Sequence, residues 1–148
     1  GGKVQLINAP EKFVQKCANA DEAEVQLGKL GRDRASSQKV KDFADMMAKE
    51  HDKSRKDLLE HFKNLKIGVA ATPEKEHKDL YDRLSKLEGA EFDREYMKAQ
   101  VDMHKQTLDF LQAHAKSDNA QIREWSTQAA KHVQDHLKKA QEIQKDLK

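Results

Sequence analysis

The sequence contains one cysteine, Cys17, so no disulfide can form within the chain. Its two prolines and six glycines are too few to punctuate a protein of many strands and turns. Aromatic residues make up only 5% of the chain, so any core must be mainly aliphatic. No stretch approaches the roughly 20 apolar residues of a membrane-spanning helix, which excludes an integral helical segment. Neither sign of charge prevails: 28 basic residues face 26 acidic ones, and the charges are interspersed. That near balance offers little pull on nucleic acid. Phosphate-binding loops, serine-hydrolase motifs and a Cys-x-x-Cys-His haem attachment site are all missing. No signal peptide is present; Gly1-Gly2 reads as a processing or cloning scar, which leaves room for a targeting segment removed before it.

The chain is rich in charge, at 36%, and in Ala, Lys, Glu, Gln and Leu, a composition of long helices. Its apolar residues recur at three- and four-residue steps in four stretches, as on amphipathic helices. The first runs from Pro10 to about Arg34 through Phe13, Cys17, Ala20, Glu24, Leu27 and Gly31. Ser36 or Ser37 can cap the second, which carries Val40, Ala44, Met47, His51, Ser54, Leu58, Phe62 and Leu65, with Gly68 as its stop. Thr72-Pro73 reads as the start of a short helix ending near Gly89. The third long stripe, from Ala90 to about Lys116, holds Met97, Val101, His104, Leu108 and Leu111. Ser117, Asp118 and Asn119 supply a turn and a cap. The last stripe holds Ile122, Trp125, Ala129, His132, His136, Ala140, Ile143 and Leu147.

This pattern predicts an all-α protein: a tail over residues 1–9 and one domain over residues 10–148. Short turns join the first helix to the second and the third to the fourth, making two antiparallel hairpins. The link between the hairpins is long enough to cross the molecule and contains the short helix. That is the connectivity of a ferritin-like four-helix bundle. The core is expected to include Phe13, Leu27, Phe43, Leu58, Leu108, Trp125 and Ile143.

Each long stripe also carries an ionisable residue facing inward: Glu24, His51, His104, and His132 with His136. A buried ionisable group costs several kcal/mol unless it is paired or coordinated. With a rise of 1.5 Å per residue, His51, His104 and His132 fall at similar depths, and Asp21, Glu24, Gln100 and His136 lie within about a turn of them. One buried histidine is more often a hydrogen-bonded core residue than a ligand. One ionisable group per helix at a common depth favours a metal site, with Asp21 and His132 as possible additional ligands. Imidazole with carboxylate suits zinc or iron, with cobalt or copper as further options. Di-iron carboxylate bundles need Glu-x-x-His on two helices, and here it occurs once, at Glu74 to His77 in the link. His61 and His114, near helix ends, are expected in solvent, and Cys17 reads as a small core residue.

Several of these residues fall into motifs. They are Glu24-x-x-Leu27-Gly28-x-Leu30, then Ala35-Ser36-Ser37-x-x-Val40-Lys41-x-Phe43-Ala44-x-x-Met47 leading to His51. Phe92-Asp93-x-x-Tyr96, His104 and His136-Leu137-x-x-Ala140 follow. Over nearly its whole length the chain resembles a ferritin-like bacterial family of unknown function described as outer-membrane or periplasmic proteins. The resemblance implies a ferritin-like bundle, export, and inward placement of Glu24, His51, His104 and His136; it implies no activity. It also favours His136 over His132, since His136 begins the last motif, whereas the depth count favours His132. The chain departs from the pattern where Glu50 stands for Asp, and where Met103 stands for an acid that would orient His104.

The reading is a monomeric bundle that binds a transition-metal ion and serves metal handling or stress protection in the cell envelope. A structural or interaction module with a polar core and no metal is the alternative. A metalloenzyme ranks third, so the chain is more a binding protein than an enzyme.

Overall fold

The computed structural model describes residues 3–147, all of them helix, turn or irregular chain; no strand occurs among them. The Gly1-Gly2 pair lies outside this range. Four long helices and one short one follow in order: α1 Pro10–Arg34, α2 Gln38–His61, α3 Lys75–Leu84, α4 Gly89–His114 and α5 Ala120–Asp146. A single 3₁₀ turn, Lys63–Leu65, follows α2. Pro10 begins α1, where its missing N–H leaves no hydrogen bond unmade.

α1 lies along α2, and α4 along α5. The turn after α1, the start of α4 and the end of α5 meet at one end of the molecule. There Asp93 reaches Ser36 and Ser37, and Lys39 pairs with Asp146 at 2.8 Å. At the other end Phe13 packs on Phe62 and His114, and His61 meets Gln121. The chain from Phe62 to Glu88 therefore travels from one end to the other.

The second helix stops earlier than its stripe predicts, at His61 rather than Leu65. Phe62 turns into the core, 2% exposed, and Lys66 takes the left-handed conformation that ends the following turn (φ 52°). Gly68 is not the stop; a Cβ there would meet nothing. Thr72 does not cap α3. Its N–H donates instead to Asn19 on α1 at 3.0 Å, and Glu74 precedes the helix. α3 then ends at Leu84, short of Gly89, which opens α4 at φ +63°.

Ser37 precedes α2 but makes no side-chain cap. The cap comes from α4: the Asp93 carboxylate accepts from the N–H of Ser36 at 2.9 Å and of Ser37 at 2.8 Å. A carboxylate at a helix N-terminus also meets the positive end of the helix dipole. Asp93→Ala would leave both part-buried N–H groups without their acceptor. It is expected to lower stability by about 2 kcal/mol, read from the urea midpoint. α5 has an ordinary local cap, the Asn119 side chain accepting from Ile122 N–H at 3.0 Å.

The apolar interior divides in two. One cluster, nearer the α1–α2 turn, contains Leu27, Val40, Phe43, Met47, Phe92, Met97 and Ile143. The other contains Phe13, Val14, Ala18, Leu58, Phe62 and Ile122. Phe13, Leu27, Phe43, Leu58 and Ile143 are buried as expected. Leu108 and Trp125 are only half-buried; Trp125 lies on the flank beside His61, their rings 5.7 Å apart. On α1, α2 and α5 the chain passes from one cluster to the other through polar residues: Asp21 and Glu24, His51, and His136. On α4, Gln100 and His104 fall in the same interval.

Candidate metal centre

His51 on α2, His104 on α4 and His136 on α5 converge between the apolar clusters. One ring nitrogen of each lies within 4.8 Å of those of the other two. The ring centroids stand 5.9 to 6.5 Å apart. α1 brings Glu24 to the same place. Its Oε2 is 3.9 Å from His51 Nε2 and 3.9 Å from His104 Nδ1.

Each ring has one nitrogen engaged by an oxygen acceptor. Asp21 Oδ1 lies 2.9 Å from His51 Nδ1. The Gln100 carbonyl lies 2.7 Å from His104 Nδ1. Glu50 Oε2 contacts His136 Nε2. A carbonyl can only accept, so His104 carries its proton on Nδ1 and presents the Nε2 lone pair. The acid expected before His104 is thus replaced by the backbone of its own helix, one turn earlier. The other nitrogens of His51 and His136, Nε2 and Nδ1, are buried without a hydrogen-bond partner. Such carboxylate–imidazole and carbonyl–imidazole pairs orient the ligands in metal sites.

Electrostatics distinguish the three rings. Burial pushes the His51 imidazole down, but the Asp21 hydrogen bond and the charges of Glu24, Asp21 and Glu50 outweigh it, so its pKa lies above the ordinary 6.5. Burial raises the Asp21 carboxyl despite its bond to His51. Burial lowers His136; Glu50 opposes this, and His51 and His104 add to it. Among the described residues, no lysine or arginine pairs with Asp21, Glu24 or Glu50; the ion-pair partners of these three carboxylates are histidines.

Nitrogens bound to one zinc ion at about 2.0–2.1 Å stand roughly 3.4 Å apart. Small rotations of the three rings would close the present spacing onto an ion. The donor set of three imidazoles and one carboxylate therefore fits a transition metal.

His132 is exposed and outside this cluster. Buried Ile122 and Ala140 mark the middle of the inward face of α5. At about 100° per residue His136 stands about 40° from that line and His132 about 80°. Asp21 lies on the far nitrogen of His51. Glu50, on the solvent side of His136, was missed. It belongs to no inward stripe, and only the position of α5 beside α2 gives it a partner. His114 is not in solvent either. It is fully buried, with Nδ1–H donating to the Phe110 carbonyl at 2.8 Å and Nε2 accepting from Ile7 N–H at 2.9 Å. Burial raises the Cys17 thiol far above its ordinary range, as befits a core residue.

Sequence comparison adds one finding. The chain belongs to the family described as Domain of unknown function (DUF4142), whose model matches residues 2–143. That match covers all four convergent residues. The DUF4142 description carries neither a ferritin-like fold nor an envelope location, so both remain implications of the motif resemblance alone. No curated protein and no solved structure matches the chain.

Proposed function

We propose that this protein is a ferritin-like four-helix bundle that binds one transition-metal ion through Glu24, His51, His104 and His136. The observation that carries the reading is a pair of buried ring nitrogens without partners, His51 Nε2 and His136 Nδ1, in one cluster with His104 and with Glu24 Oε2 3.9 Å from two of the rings. Leaving a buried polar atom unsatisfied costs about 1–3 kcal/mol. A bound ion would satisfy both at once and would offset three carboxylates that have no lysine or arginine. Zinc and iron fit the donor set first, cobalt and copper next. Asp21 serves as the acceptor that orients His51, and Glu50 as the one that orients His136. The role is metal handling or stress protection by a monomer in the cell envelope, a placement that rests on the motif resemblance. The alternative is a structural module whose polar layer holds protons instead of metal.

Metal analysis of untagged protein after separate loading with zinc, iron, cobalt and copper tests the reading. About one equivalent per chain of at least one metal is expected after desalting. Absence of stoichiometric metal in every case favours the structural module.

Acid should release the ion. Ligand imidazoles bind metal only when neutral. The free-state pKa of His51 is raised, so its protonated fraction grows as pH falls, beginning above the ordinary 6.5. Proton competition therefore weakens apparent affinity progressively as pH falls through the ordinary histidine range near about 6.5, with an onset above it, and binding near neutrality releases protons. Titration calorimetry in two buffers of different ionisation enthalpy measures that release. An affinity flat across this range would contradict histidine ligation.

A further inference from the structure

The three imidazoles are not held alike. His104 is fixed by the carbonyl of its own helix, and its side chain is 3% exposed. His51 is fixed by Asp21, itself 10% exposed. His136 alone is engaged by a carboxylate at the surface, since Glu50 is 50% exposed. Glu50 has no other ion-pair partner among the described residues, while neighbouring Lys49 and Lys53 pair with Asp45 and Asp57. His136 thus presents two nitrogens in two directions. Nδ1 is buried with the cluster, and Nε2 lies against Glu50 on the solvent side.

We propose that Glu50 and His136 Nε2 form an outer docking site for the metal ion, from which it passes between α2 and α5 to the inner site. This rests on the reading of the inner cluster as a metal centre. A divalent cation approaching the seam meets the Glu50 carboxylate before any other group of the cluster. Carboxylate oxygen and imidazole nitrogen together form a minimal transient chelate. The side chains of the other members are at most 16% exposed, against 50% for Glu50. The ion then passes from Glu50 and Nε2 to the inward side, to His136 Nδ1, His51, His104 and Glu24. Docking on Nε2 sends its proton to solvent; once the ion has moved to Nδ1, Nε2 takes a proton back from solvent and donates to Glu50 again, and each water lost from the ion is replaced by a protein donor. The ion leaves by the same route, so the outer site speeds both directions without determining the final affinity.

Glu50→Gln is the discriminating variant. Its amide oxygen still accepts from His136 Nε2–H, so the ring stays oriented, but the charge and the metal-binding carboxylate are gone. Stopped-flow mixing with cobalt(II), followed by visible absorbance, gives the association rate, and a competing chelator gives the release rate. Both rates are expected to fall at least about tenfold in Glu50→Gln, with the dissociation constant within about threefold of the parent. Glu124→Gln, removing an exposed carboxylate elsewhere on α5, should change neither rate. Asp21→Ala, which removes the acceptor of His51, should weaken affinity through faster release, with association unchanged. An association rate in Glu50→Gln within about twofold of the parent overturns the proposal. So does faster release with unchanged association, which would make Glu50 only an orienting group. If the parent protein takes up no cobalt, zinc, iron or copper, the inner metal centre itself is wrong and the outer site falls with it.

Discussion

His136→Ala is expected to lower zinc affinity by more than about 100-fold, while His132→Ala leaves it within about threefold. The two residues are one turn apart, and sequence arguments pull in opposite directions. Depth along the helix places His132 level with His51 and His104, whereas the motif containing Leu137 and Ala140 selects His136. Their surroundings differ sharply. His136 has a buried ring nitrogen without a partner, in a cluster with two other imidazoles. His132 is exposed and outside that cluster. Losing a group that only orients a ligand typically weakens metal binding 10–100-fold, so losing the ligand should exceed that range. Calorimetric titration of both variants with zinc decides the matter. Equal losses would mean that the ion sits nearer the surface of α5, bridging both histidines. A larger loss from His132→Ala would displace the site altogether.

The helices themselves were legible because their apolar residues repeat at helical spacing and because Pro10 and Asn119 act where local rules place them. What could not be read was whatever depends on which helices become neighbours. Ser37 stands where a local cap belongs, yet the cap is Asp93, 56 residues later. Nothing near Asp93 in the chain announces that partner. The end of α2 was misplaced because Phe62 and Leu65 continue the stripe, and periodicity does not register a backbone turn. A position at a helix end predicts solvent for His114, but Ile7, in the segment before α1, donates to its ring. The candidate site shows the same division. Glu24, His51, His104 and His136 could be placed because each belongs to its own helix's inward face. Glu50 belongs to an outward face, and it matters only because α5 passes beside α2. Asp21 was legible as a neighbour of the site, but its side-chain contact with the far nitrogen of His51 required coordinates.

Gly28→Ala should lower stability by about 3 kcal/mol and weaken metal binding in the fraction that remains folded. In an isolated helix the same change would help, since alanine exceeds glycine in helix propensity by up to about 1 kcal/mol. Here the new methyl would lie 2.6 Å from the Ala44 carbonyl oxygen and 2.7 Å from the Ala48 backbone nitrogen. Both are main-chain atoms of α2, so no side-chain rotation relieves the clash, and α1 must move away from α2. Gly31 is closely packed as well, and its nearest contacts are the Ala44 methyl and the Tyr96 ring. The Ala44 methyl, 2.7 Å away, is fixed to the α2 backbone and Tyr96 is fully buried, so Gly31→Ala is expected to cost about as much. Gly28 also lies one turn beyond Glu24, and Ala48 lies three residues before His51. The distance set at the Gly28–Ala48 contact therefore governs how near Glu24 and Asp21 approach His51. Urea unfolding gives the first effect, and zinc titration under fully native conditions gives the second. A Gly28→Ala protein with parental stability would show that α1 can slide along α2 without cost. Reduced stability with parental zinc affinity would show that Glu24 and Asp21 do not depend on this contact for their positions.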